Sequence, residues 1–198
     1  MKSVTLLALG PSRKECPFET EELWGTVDCL NQDNLRDKRF TKVFAFDSET
    51  VVINNHPPRR IDSFCEYIDR AKQLKIPLVS TRDYATEKYP LREIITKFKS
   101  SYFMPTVSYM IAYALYLEYD RLYIFGIDQG PQWWYQLGKP HITFWIGYAI
   151  ALGAEVLLGT GSLRWTYQPG IDNLPEAWIR EEYEKFYNTT FDNVVVQK

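Results

Sequence analysis

Four short segments of this 198-residue chain place small or polar side chains where an apolar run stops. They are Gly10-Pro11-Ser12, Asp47-Ser48-Glu49, Ser80-Thr81-Arg82 and Gly126-Ile127-Asp128-Gln129. A glycine there lets backbone come close to a bound group, and a serine hydroxyl such as that of Ser12 can donate to it. The same residues also make an ordinary strand-ending turn, so both readings stand. Neither G-x-G-x-x-G nor G-x-x-x-x-G-K-[ST] occurs, which disfavours NAD binding and ATP hydrolysis.

Pro105-Thr106-Val107-Ser108 precedes a long apolar run. Thr106 fits a helix N-cap, while the exposed amides of a helix start also suit a phosphate or carboxylate. Ser108 is a hydroxyl inside that apolar run and needs a specific partner, either backbone or ligand. Asp47-x-Glu49 resembles an acidic pair that holds a divalent ion on a diphosphate, although a solvated or capping role uses the same residues. Of the two histidines, His141 follows Lys139-Pro140 and is expected just before a helix. Histidine is the natural general base near neutral pH. His56 lies in a Pro-Pro-Arg-Arg segment, where Arg59 and Arg60 either meet an anion or stay solvated. There is no H-E-x-x-H, no G-x-S-x-G and no metal-ligand cluster.

These segments need elements to hold them. Residues 4–9 form an almost unbroken apolar run, as expected for a strand buried on both faces. Further strands are expected at 24–30, 42–46, 77–80, 121–125 and 154–158. Between them, Ile61, Phe64, Ile68, Ala71 and Leu74 recur at helical spacing, and 91–98 makes a short amphipathic helix. Residues 107–118 are apolar nearly all round and predict a buried helix. Residues 142–152 predict another, with Gly153 as its cap. A polar helix is expected at about 175–187. This alternation predicts one α/β domain over residues 1–198, with a Rossmann-like, mainly parallel sheet and helices on both faces. Ligands of such sheets sit beyond the carboxyl ends of the strands, where the four segments fall.

Bulk composition narrows the class. The net charge of −2 gives no whole-protein field for nucleic acid. Cys16, Cys29 and Cys65 are too few, and too scattered, for a disulfide framework or zinc site. No run approaches a membrane span, and the first apolar run is shorter than a signal peptide needs. A cytoplasmic protein is expected. Asn188-Thr189-Thr190 is read as a chance glycosylation motif. Aromatic residues make up 16%, enough for a ring-lined pocket, a subunit interface or a large core.

Three patches together resemble one family. Leu7-Ala8-Leu9-Gly10-Pro11-Ser12 resembles the first strand and loop of Rossmann-like bacterial sialyltransferases. Pro105 to Met110, with the stretch from Tyr119 to Asp128, is similar to their small-residue helix start and "G-[IV]-D" strand ending. His141, followed by a helix, a strand and Ser162-Leu163, resembles their last unit. The look is nearest to short phage-encoded relatives. The resemblance implies a nucleotide or nucleotide sugar, cytidine-based in the family, held by Gly10, Pro11, Ser12, Thr106, Ser108 and Asp128. It implies His141 as the base that activates an acceptor hydroxyl, with no metal or other cofactor. Asp47, Thr81 and Gln129 join the nucleotide site from their strand-end positions.

Three functions are compatible with this reading. One is a sugar transferase with a nucleotide-activated donor. The second is a non-catalytic nucleotide-binding or sequestering module. The third is an interaction protein that retains only the fold, with Trp133, Trp134, Tyr135 and Trp145 as an interface to a partner such as a second copy of the chain in a homo-oligomer. Fold alone does not choose among them.

Overall fold

The computed structural model describes residues 1–47, 58–128 and 133–159. Its centre is a seven-stranded sheet. The strands are β1 (Ser3–Leu7), β2 (Leu23–Thr26), β3 (Lys42–Phe44), β4 (Leu78–Ser80), β5 (Glu87–Lys88), β6 (Arg121–Phe125) and β7 (Glu155–Leu158). The described helices are α1 (Pro58–Gln73), α2 (Leu91–Phe98), α3 (Thr106–Tyr116) and α4 (Trp133–Ala151). Two 3-10 turns, Pro11–Glu15 and Val27–Asn31, flank β2. Every strand pairing is parallel, in the order β5-β4-β3-β2-β1-β6-β7.

Period-two alternation divides the core between the two faces. Val4, Leu6, Trp24, Phe44 and Val79 face α2, α3 and α4. Leu7, Leu23, Val43 and Leu78 face α1 through Ile68 and Ala71. Both faces are thus covered by helices, as a parallel sheet requires. Much of the aromatic content lies in the first layer. Trp24 is fully buried and packs on Phe44, Tyr113 and Tyr119 at ring distances of 5.4, 5.6 and 5.2 Å.

Four elements differ from the sequence expectation. The run at 27–30 forms a 3-10 turn. Val27, Cys29 and Leu30 all pack on the α1 side, whereas a strand would send Cys29 and Leu30 to opposite faces. Strand β1 stops at Leu7, because the chain then leaves the ladder toward the loop after β6. β5 is only two residues long, too short to leave a pattern in the sequence. Helix α4 begins at Trp133 rather than near Ile142 and carries Pro140 inside it.

A proline within a helix removes one N–H and strains the preceding turn. Here side chains add bonds to carbonyls of that turn. His141 Nδ1 lies 3.1 Å from the Leu137 carbonyl, and the Thr143 hydroxyl is 3.0 and 3.1 Å from the carbonyls of Lys139 and Pro140. Among the described residues no helix is long and apolar enough to cross a membrane. The helix expected at 175–187, Ser162-Leu163 and Gln129 lie outside the described residues.

Candidate functional site

The strand order sets where a ligand would meet the sheet. From β1 the chain adds β2, β3, β4 and β5 on one side, then crosses back to lay β6 and β7 on the other. The direction of winding therefore reverses between β1 and β6, and the loops leaving these strands carry Gly10-Pro11-Ser12 and Gly126-Ile127-Asp128. In open α/β sheets the crevice at such a reversal is the usual ligand position.

These two loops are bonded to each other. Ala8 N–H donates to the Phe125 carbonyl at 3.0 Å, and Gly10 N–H donates to the Gly126 carbonyl at 2.7 Å. Gly126 N–H donates to the Ser12 hydroxyl at 2.8 Å. Ser12 N–H donates to the Asp128 carboxylate at 3.0 Å. The contact leaves no room for side chains at the glycines. A Cβ on Gly10 would lie 2.0 Å from Asp128 Oδ2, and one on Gly126, which has φ +69°, would lie 2.0 Å from the Ala8 carbonyl oxygen. Gly159, just past β7, closes the third side, where a Cβ would sit 3.0 Å from Ser12 Cβ. The amide that a phosphate would seek at Ser12 already holds the protein's own carboxylate. Ser12 is buried, whereas Pro11 is exposed and Asp128 half-buried.

The ends of β3 and β4 are different. Asp47, Thr81 and Arg82 are exposed there. Arg82 Nε donates to the Phe46 carbonyl at 3.3 Å, and the Tyr84 hydroxyl donates to the Asp47 carbonyl at 2.8 Å. Tyr109, in the first turn of α3, stacks on Phe46 at 4.0 Å. Burial pushes the pKa of the Tyr109 hydroxyl up, the nearby Arg82 guanidinium draws it partly down and the Asp47 carboxylate pushes it up. A phenol, a guanidinium and a carboxylate thus share one surface. A pocket of about 540 Å³, lined in part by Thr81, Tyr89, Leu91 and Arg92, adjoins it.

Stacked rings hold Tyr109 in place. Phe46, Tyr109, Phe103 and Trp145 follow one another at 4.0, 4.5 and 5.0 Å, with adjacent planes tilted by 16°, 19° and 17°. This column ties the end of β3 to the start of α3 and to α4. Tyr89 is edge-on to Phe46 and donates its hydroxyl to the Tyr109 carbonyl at 3.0 Å.

The start of α3 differs from the expected cap. Pro105 occupies the N-cap position and Thr106 is the first helical residue. Ser108 fastens the turn: its hydroxyl donates to the Pro105 carbonyl at 2.7 Å and accepts from Met104 N–H at 3.3 Å. Its partner is therefore backbone, and it is fully buried. His141 lies within α4 and not before it. Its ring stacks on Tyr102 at 3.9 Å. Because a carbonyl only accepts, the bond to Leu137 places the proton on Nδ1 and leaves the Nε2 lone pair of the neutral ring available.

The structure brings Gly10, Ser12 and Asp128 together as one unit. It groups Asp47 and Thr81 in a second, and sets His141 on Tyr102. The chief additions to the expected site are Tyr109 and Gly159, and Arg82, part of the Ser80-Thr81-Arg82 segment, gains a place beside Tyr109. Arg82 and Gly159 stand at the ends of their strands, a signal visible in the sequence. Tyr109 looked like one more apolar position of α3. Among the described residues no group of three His, Cys, Asp or Glu side chains is placed to hold a metal ion. The chain matches no protein-family model, no curated protein and no solved structure.

Proposed function

We propose that this chain binds a nucleotide or nucleotide sugar along the carboxyl edge of its sheet and transfers the sugar to a hydroxyl acceptor. The observation that carries the binding is the reversal of strand order between β1 and β6, the usual ligand position of open α/β sheets, which puts the carboxyl edge beside it within reach of a ligand. On this reading the Gly10–Asp128 loops form the floor. Asp47, Thr81, Arg82 and Tyr109, with Thr106 at the helix start, supply the polar contacts, and Arg82 faces the phosphate. The transfer rests on His141, whose Nδ1–H is oriented by a carbonyl as in histidines that act as general bases.

Two measurements test this. A cytidine nucleotide at several concentrations should raise the melting temperature progressively, since a ligand of the folded state stabilises it by mass action. No shift with any nucleotide or nucleotide sugar would overturn the reading. Replacement His141→Ala should lower release of the nucleotide from a sugar donor about 10²- to 10⁴-fold, the usual share of a general base. An unchanged rate would remove His141 from the chemistry.

A second reading, a binding module without turnover, has an observation of its own. Ser12 and Ser108, two hydroxyls of the expected donor site, are already engaged by backbone groups. Nucleotide binding with no donor turnover in the wild-type chain would establish it.

A further inference from the structure

Among the described residues helix α4 is the one packed on β7, yet its exposed face does not look like that of a solvated helix. The face turned from the sheet is formed by Leu137, Pro140, Thr143, Phe144, Gly147 and Ile150, all exposed and none charged. By contrast α1 reads PRRIDSFCEYIDRAKQ, with seven charged residues among its 16. In the 19 residues of α4 the one permanently charged side chain is Lys139. Leu137 is 49% exposed, Phe144 37% and Ile150 58%. Tyr102, 44% exposed, extends the patch from the segment before α3 and touches Phe144 at a ring distance of 5.5 Å. Leu152, 58% exposed, lies just beyond the last turn. The buried side of the helix, Ile142, Trp145 and Ala149, is already packed into the core. The expectation that Trp145 forms an interface is thereby corrected: it is fully buried and donates its indole N–H to the Tyr102 carbonyl at 2.9 Å.

We propose that this face of α4 is the contact between two copies of the chain, related by a two-fold axis across the helix. The four large side chains of the patch, Tyr102, Leu137, Phe144 and Ile150, expose about 400 Å² between them, taking side chains of roughly 200 Å² at about half exposure. That approaches the apolar share of the ~800 Å² per partner that a standard stable interface buries. The patch is convex, so it grips neither a small molecule nor an extended peptide. A second apolar helix laid across it covers it, with the side-chain ridges of one in the grooves of the other. A copy of the chain supplies that helix by symmetry. Lys139, at the margin of the face, is the one charge near it, so repulsion between two copies is small. Gly147 allows close approach at the crossing, since a Cβ built there has no neighbour within 4 Å. The inference is independent of what the carboxyl edge binds.

The test is sedimentation equilibrium of the full chain, with Phe144→Glu and Ile150→Glu as separate variants. Ile150 is the more exposed of the two, so its replacement perturbs folding least. The wild-type chain should sediment at twice the chain mass of 23.3 kDa at about 100 μM, above the weak end of the μM-to-pM range for interfaces of this size. Ile150→Glu should weaken the dimer at least tenfold, with the far-ultraviolet circular dichroism spectrum of the wild type. A wild-type chain that stays monomeric at that concentration would overturn the proposal. So would a dimer that both variants, folded, leave intact.

Discussion

The carboxyl edge of the sheet has two regions built to opposite ends. Around β1, β6 and β7, the backbone N–H groups of Gly10, Ser12 and Gly126 find partners within the protein, and three glycines are packed too tightly for a side chain. Around β3 and β4, Asp47, Thr81 and Arg82 stand at the surface, and the side chains of Arg82 and Tyr84 donate to the carbonyls of Phe46 and Asp47. The first region joins strands that are distant in sequence. The second offers groups to whatever comes to the edge. A residue that looks functional because it ends a strand can therefore belong to either, and the partners of its polar atoms decide which.

The contrast is broken most severely at Gly126. Replacement Gly126→Ala forces a Cβ against the Ala8 carbonyl and requires a side chain at φ +69°. It should cost roughly 3 kcal/mol or more, read from chemical denaturation. Ser12→Ala leaves the buried Gly126 N–H without its acceptor, and should cost about 1–3 kcal/mol in the same assay. If Ser12→Ala matched the wild type in stability, the loop would not be the brace described.

Alkaline pH probes the buried core on both sides of the sheet. Burial pushes the Cys16 thiol, at the end of the first 3-10 turn, from 9.0 up to about 12, with nearby Lys38 drawing it partly down. Burial also raises the Tyr119 hydroxyl from 10.0 to about 12, and Glu22 pushes it the same way. Between pH 9 and about 12 the unfolded chain releases these protons before the folded one does. Stability is therefore at its full value below pH 9 and falls as pH rises through that window. Urea midpoints at pH 8 and pH 11 should show the drop. Cys16→Ala should flatten its lower part.

The smallest effect on stability belongs to the open region. Arg82→Ala and Asp47→Ala should each change it by no more than about 0.5 kcal/mol, as surface substitutions do. The same variants should reduce the melting-temperature shift caused by a nucleotide. A large loss of stability in either would place these residues with the brace.

Much of the fold could be read from periodicity. Residues 4–9, 42–46 and 121–125 are apolar because their strands are covered on both faces. Residues 91–98 alternate at helical spacing because one side of α2 packs on the core. The misreadings share one cause: tertiary contacts outweighed local signals. Cys29 and Leu30 pack together under α1 and leave the strand pattern. The helix expected from Ile142 begins at Trp133 and runs through Pro140, and its contacts with the core come from Ile142, Trp145, Ile146 and Ala149 beyond the proline. For the site, Gly10 and Asp128 were visible as strand-end residues, but their mutual contact joins positions more than 110 residues apart and leaves no local trace. Tyr109 was hidden because a tyrosine in an apolar helix looks like core.

The account turns on the open region meeting a nucleotide while the closed region holds the fold. The direct measurement is calorimetric titration of cytidine monophosphate into the wild-type chain and into Arg82→Ala. The account predicts saturable binding to the wild type. It predicts at least tenfold weaker binding to Arg82→Ala, the scale of one lost charge-assisted contact, at an unchanged melting temperature of the free protein. No heat of binding with the wild type, or equal affinity in the two chains, would contradict it.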